Sequence, residues 1–175
     1  KLVSIIAKDI NRLTTLKQRF QAEGKSLLRV SHLTQDSIGE NIQQFLLESF
    51  EDILEKVDLV VFSDFNYGCL PQTLVDQMVK KSKNAKKLIV ADSQSSSQVG
   101  DISRFQGMDV VFATEREARI CLQNSEDGLV VLAEKLRIKA NADNVFLKLG
   151  SQGVLLHIDP QEGVGDFEPD RLHAL

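Results

Sequence analysis

The sequence is short of the residues that build staples and metal centres. Among 175 residues there are two cysteines and three histidines. Cys69 and Cys121 stand far apart with no C-x-x-C spacing, so neither a disulfide framework nor a zinc site has its ligands. A reducing, cytoplasmic setting is the expectation that follows. A chain of this length buries roughly two thirds of the surface it exposes when unfolded, which allows folding without such aids. Only three prolines, Pro71, Pro160 and Pro169, interrupt it, and no repeat, low-complexity tract or flexible linker divides it. Residues 1–175 therefore read as a single domain.

Long apolar runs and an excess of positive charge are missing too. Stretches such as Leu59–Phe62 and Leu88–Ala91 fall far short of the roughly 20 residues a membrane span needs. Lys1–Ala7 is short for a signal peptide and lacks a small-residue cleavage site. With no initial Met, the chain is expected to start inside a longer protein. Its 21 Lys+Arg against 25 Asp+Glu give a net charge of −4, without the basic footprint of a nucleic-acid binder. Neither a membrane nor a nucleic acid is an expected partner. Walker-type, dinucleotide-binding, serine-hydrolase and zinc-protease motifs are all absent, and His32, His157 and His173 are too scattered to suggest a role.

What is present is a rhythm of short apolar runs. Val3–Ala7, Leu27–Val30, Leu59–Phe62, Leu88–Ala91, Val110–Ala113, Val145–Leu149 and Val154–Ile158 have strand length and β-branched content. Helical spacing fills most gaps: Ile10, Leu13, Leu16 and Phe20 share one face, as do Ile38, Ile42, Phe45, Leu46, Ile53 and Leu54. Pro71 suits the first position of a helix carrying Leu74, Val75, Met78 and Val79, where its missing N–H has no intrahelical role. The lysines of 80–87 complement that helix's negative end and read as a solvated face. Strand and helix alternating from Asp58 to Leu149 imply βαβ crossovers. The expected fold is α/β, a mainly parallel central sheet with helices on both faces.

Ligands of such sheets bind beyond the carboxyl ends of the strands. There the sequence places Asp64 and Asn66, then Asp92 with Ser93 and the serines to Ser97, then Thr114 with Glu117, then Lys148 with Gly150, Ser151 and Gly153. A carboxylate-rich rim with one lysine suits a polyol or a metal-bound phosphate ester. Each group has a plain structural reading beside this one. Asp64 and Asp92 could cap helices or form turns, T-x-x-E at 114–117 is the capping-box pattern, and Gly150–Gly153 could be a hairpin turn or an anion cradle.

In order, Asp58–Gly68, Leu88–Ser93, Val110–Ala118 and Val145–Val154 resemble the central part of the ribokinase-like, or PfkB, carbohydrate kinases, and within them the sugar-kinase half of ADP-heptose synthases. The resemblance implies a ribokinase-like fold and transfer of phosphate from ATP, with Mg²⁺, to a sugar or sugar phosphate, a heptose phosphate among the candidates. It implies nucleotide contacts at Lys148, Gly150, Ser151, Gly153 and Thr114, a metal role for Glu117, and sugar contacts at Asp64, Asn66 and Asp92. Tyr67 stands where the family carries a basic residue, and Thr114 where it carries asparagine.

No catalytic residue is assigned within the chain. The family's glycine-rich sugar-binding start is expected before Lys1, and its G-A-G-D motif with the catalytic aspartate after Leu175, so the chain alone is expected to be inactive. The join at Gly24-Lys25 is shorter than the family usually allows. Members often pair through a lid, which makes a homodimer an open expectation. Two other readings remain: a kinase-like module that binds or assembles without catalysis, and an unrelated flavodoxin-like or receiver-like domain with a different strand order.

Overall fold

A computed structural model describes residues 2–93, 101–158 and 171–172. Two strands, β1 (Leu16–Ala22) and β2 (Lys25–His32), form an antiparallel hairpin apart from the main sheet. Helix α1 (Glu40–Leu54) leads to β3 (Leu59–Asp64), α2 (Gln72–Asn84) and β4 (Leu88–Ser93). A short 3-10 turn (Ile102–Arg104) precedes β5 (Val110–Thr114), α3 (Glu115–Leu122), α4 (Leu129–Ala140) and β6 (Asn144–Lys148). A second 3-10 turn (Gly150–Gln152) joins β6 to β7 (Val154–Ile158), and β8 (Arg171–Leu172) closes the edge.

The central sheet has the order β3-β4-β5-β6-β7-β8. The first four strands are parallel, and β7 and β8 are antiparallel to their neighbours. The α/β class and mainly parallel sheet are thus as expected from the sequence.

Exposure alternates along the strands and separates the two faces. Val60, Phe62, Ile89, Ala91, Val111, Ala113, Val145 and Leu147 are buried in one cluster with Leu74, Val75, Leu132 and Leu136 of the helices. Between them, Leu59, Val61 and Leu88 are exposed at 47%, 58% and 58%. Of the two helical layers expected, the described residues supply one. The reason is topological: strands that are added in a single direction, joined by crossovers of one hand, place every connecting helix on the same side. A second layer requires the order to reverse, and β3 to β6 never reverse.

The amino-terminal region departs from expectation. Val3–Ala7 forms no strand, and the stretch read as a helix through Ile10, Leu13, Leu16 and Phe20 contains a turn and then β1. Glu23 and Gly24, with φ of 49° and 76°, form the two-residue turn of the hairpin, with Ala22 paired to Lys25. Positive φ at both positions matches the right-handed twist of the flanking strands. Periodicity over four side chains is weaker than that turn signal. The abrupt Gly24-Lys25 join is the end of this turn.

Smaller differences concern helix edges. Phe45 is 44% exposed, and Leu47 takes the buried place on α1. Pro71 is the N-cap of α2, one residue ahead of the position expected. The basic end of that helix is solvated: Lys81 meets Glu51 at 2.8 Å across the surface. Among the described residues no helix is long and apolar enough to cross a membrane.

Candidate functional site

Four strand ends converge on one edge of the sheet. Asp64 is the register partner of Ser93, Asp92 that of Phe112, and Thr114 that of Lys148. The side chains nevertheless divide between the faces, because neighbouring residues on a strand point in opposite directions. Asp64 and Ser93 belong to the buried, helix-covered face. Asp92, Thr114 and Lys148 stand on the open one.

On the covered face, Asp64 anchors the loop that follows it. One carboxylate oxygen accepts from Asn66 N–H at 3.0 Å, and the other meets the Arg104 guanidinium at 2.7 Å. Asn66 adopts φ 57°, a left-handed conformation that asparagine tolerates well, and its amide donates to Ser93 Oγ at 3.0 Å. Gly68, at φ 76°, follows with no room for a side chain: a Cβ there would lie 2.0 Å from the carbonyl oxygen of Asp36. Asp64 carries the geometry of residues 64–68 through contacts that leave its carboxylate only 2% exposed.

Arg104 comes from the 3-10 turn after β4, and Asp101 fixes that turn. Its carboxylate accepts from Ser103 N–H at 2.9 Å, from the Ser103 hydroxyl, and from the Cys121 thiol at 3.1 Å. Burial pushes the Asp101 carboxyl up, but the Ser103 and Cys121 hydrogen bonds and the Lys139 charge outweigh it and hold it below the ordinary value. Burial pushes the Cys121 thiol up. This cysteine is a packed hydrogen-bond donor. Arg104 also lies over the Phe105 ring, 4.3 Å from its centroid.

On the open face, Lys148 reaches back over the end of β5 to place Nζ 2.7 Å from Asp92 Oδ1. Both side chains keep about a third of their surface in solvent, at 35% and 34%. Beside them Thr114 caps α3. Its hydroxyl accepts from Glu117 N–H at 3.2 Å, and its own N–H donates to the Glu117 carboxylate at 2.7 Å. The capping-box reading of T-x-x-E is therefore correct in geometry, and it fixes Glu117 at the edge. Beyond Lys148, Leu149 N–H donates to Gly153 O at 2.8 Å and Gly153 N–H to Gly150 O at 3.1 Å, which closes the β6–β7 turn. Gly150, at φ 62°, has open space around it; Ser151 is exposed beside it. Backbone without side-chain cover at this point can be approached closely by a ligand.

The hairpin reaches the same edge from the other side. Arg12 donates to Tyr67 O at 2.5 Å and to Asp36 O, and Lys17 of β1 lies above the Phe65 and Tyr67 rings. A cleft of about 390 Å³ opens between residues 8–12 and 34–42, with Arg12, Asp36 and Asn41 in its walls.

The expected residues Asp64, Asn66, Asp92, Thr114, Glu117, Lys148, Gly150, Ser151 and Gly153 thus occupy one end of the sheet. The serines expected at 95–97 lie outside the described residues. Sequence reasoning missed Arg104, Asp101, Arg12 and Lys17. The D-x-S pattern at 101–103 is a turn-capping signal that could have found Asp101. Arg104 meets Asp64 across 40 residues and carries no local signal.

Residues 30–170 match the model of the pfkB family of carbohydrate kinases. The chain belongs to this family. It is 27% identical over 169 residues to the bifunctional protein HldE of Desulfatibacillum aliphaticivorans, which covers 95% of this chain and 32% of that protein. Against HldE of Helicobacter pylori strain Shi470 the identity is 26% over 154 residues, 86% of this chain and 32% of that one. Among solved structures, ribokinase from Giardia lamblia superposes with a TM-score of 0.67 at 16% identity, over 94% of this chain and 50% of the ribokinase. Phosphofructokinase-2 from Escherichia coli in complex with fructose-6-phosphate gives a TM-score of 0.60 at 13% identity, over 91% of this chain and 50% of that one. The pfkB chain described here therefore spans about a third of these curated relatives and half of these solved chains.

Proposed function

We propose that this pfkB chain forms the central part of an ATP-dependent kinase that phosphorylates a sugar or sugar phosphate, a heptose phosphate being the first candidate. The observation that carries the reading is the Asp92–Lys148 pair on the open side of the carboxyl edge, next to Gly150 of the β6–β7 turn, which has open space around it. A lysine held by a carboxylate is oriented before any ligand arrives, and phosphoryl transfer depends mainly on positioning and charge stabilisation. Lys148, Gly150, Ser151 and Gly153 would border the nucleotide phosphates, with Thr114 beside them.

Mg²⁺ supplies charge neutralisation to the transferred phosphoryl group when bound. It is commonly held by one or two carboxylates together with substrate phosphates, and Glu117, fixed by the capping box, is the carboxylate at the right edge. Among the described residues no group of three acidic, histidine or cysteine side chains comes together, so the phosphates and water would complete the shell. Asp64 would act through the loop that it anchors, setting Asn66 at the sugar side of the crevice.

Production of ADP by the full-length protein with Mg-ATP and a heptose phosphate tests this. Turnover that falls at least a hundredfold in Lys148→Met supports it, and no turnover with any sugar or sugar phosphate contradicts it. The departures at Tyr67 and Thr114 favour one second reading, a binding module derived from a kinase. That module would still bind the nucleotide while giving no ADP.

A further inference from the structure

The 64–68 loop after β3 and the start of α3, where Thr114 and Glu117 stand, are joined by a run of side chains. Cys121 of α3 donates to Asp101 at 3.1 Å, and the same carboxylate accepts from Ser103 N–H at 2.9 Å, which sets the 3-10 turn against the helix. From that turn Arg104 reaches Asp64 Oδ2 at 2.7 Å. Asp64 Oδ1 in turn accepts from Asn66 N–H at 3.0 Å.

Arg104 is itself held on two further sides. Its guanidinium lies 4.3 Å from the centroid of the fully buried Phe105 ring, and that ring packs against Phe62, two residues before Asp64 on the same face of β3, at 5.7 Å. Gln72 of α2 donates to Arg104 O at 3.0 Å. Because Arg104 holds one carboxylate oxygen of Asp64, the other faces the Asn66 N–H in a fixed direction. Asn66 needs such support, since its φ of 57° is a left-handed conformation that residues with a side chain disfavour. The far end of the loop has separate supports, Ile38 N–H on Gly68 O at 3.0 Å and Arg12 on Tyr67 O. The near end rests on Asp64 and on the Asn66 amide, which donates to Ser93 Oγ.

Resting on the sugar-kinase reading above, we propose that Arg104 is a positioning residue for the sugar acceptor. Acting through Asp64, it holds Asn66 and the near end of the loop at a set distance from α3, so that the acceptor hydroxyl lines up with the nucleotide phosphates. A misplacement of about 1 Å costs on the order of a hundredfold in rate. The effect falls on the acceptor and spares the nucleotide, which meets the Asp92–Lys148 side of the edge.

Initial-rate kinetics of the full-length protein with Mg-ATP and a heptose phosphate, beside calorimetric titration with AMP-PNP and Mg²⁺, test the assignment. Arg104→Met strands the Asp64 carboxylate, whereas the double variant Asp64→Asn/Arg104→Met removes the tie and leaves no charge behind. In both, kcat/KM for the heptose phosphate is expected to fall at least tenfold, while AMP-PNP binds within twofold of wild type. Arg104→Lys, which keeps a cation beside Asp64, is expected to recover at least threefold. Leu136→Ala, a core truncation on α4, is expected to lower the urea midpoint and leave both readouts in place. Unchanged kcat/KM for the heptose phosphate in the double variant overturns the assignment, as does an equal loss of AMP-PNP affinity, or an equal loss of kcat/KM in Leu136→Ala. A wild-type protein that turns over no sugar or sugar phosphate removes the kinase reading, and the assignment with it.

Discussion

The two faces of the central sheet are built from alternate residues of the same strands, yet they hold their charges in opposite ways. On the covered face the Asp64–Arg104 pair joins a carboxylate 2% exposed to a guanidinium 19% exposed, and its partners shape a loop. On the open face the Asp92–Lys148 pair has the same 2.7 Å separation, with a third of each side chain in water. Equal distance does not mean equal function. A buried pair cannot open without leaving a charge stranded in the interior, which makes it a structural tie. A half-exposed pair can exchange one partner for a ligand at little cost, which makes it suitable for a binding edge. The pfkB chain thus separates the pair that sets its geometry from the pair left open to solvent at the proposed binding edge.

Breaking the covered pair should have the largest effect. Arg104→Met keeps the packing over Phe105 but strands the Asp64 carboxylate, and should cost about 3 kcal/mol in urea unfolding. Next comes the apolar contrast between neighbours on β6. Leu147→Ala, in the closed core, should cost about 3 kcal/mol, and Phe146→Ala only about 1.5, although phenylalanine is the larger side chain. Phe146 makes an edge-on contact with Phe112 at 5.2 Å, but its face of the sheet is only partly covered. Equal losses would remove the distinction between the faces. Asp92→Asn should change stability by less than about 1 kcal/mol by the same measurement.

A pH titration sharpens the contrast at the antiparallel end of the sheet. Hydrogen bonding from Arg137, which outweighs burial and is aided by His157, lowers the Glu134 carboxyl to about 2. A carboxyl depressed on folding adds stability above its ordinary range near 4.5 and loses it as the pH falls toward 2. Because the side chain is 35% exposed, the contribution should be about 1 kcal/mol after screening. Glu134→Gln should flatten the stability curve between pH 4.5 and 2 by that amount. An unaltered curve would show that the α4–β7 contact carries no net charge stabilisation.

The sequence made the parallel strands legible because Leu59–Phe62, Leu88–Ala91 and Val110–Ala113 are continuous apolar runs of strand length with turn or helix signals between them. The order of the polar junctions made the edge legible as well. The hairpin was hidden because Ile10, Leu13, Leu16 and Phe20 happen to fall at helical spacing, while the decisive feature was the Glu23-Gly24 turn. The uneven covering of the sheet was hidden for a different reason. It depends on the direction in which strands are added, which no local pattern records. The contacts of Arg104 with Asp64 and of Lys17 with the Phe65–Tyr67 rings join residues far apart along the chain, which no local pattern records.

The central claim is that the open side of the carboxyl edge receives the nucleotide phosphates. Amide NMR of the full-length protein, titrated with AMP-PNP and Mg²⁺, tests it most directly. The account expects saturable shifts at Asp92, Thr114, Lys148 and Gly150–Gly153, and none when Gly150→Val, which forces a branched side chain into a left-handed backbone position, is titrated in the same way. Saturable shifts confined to other parts of the molecule, or undiminished shifts at these residues in Gly150→Val, would contradict it.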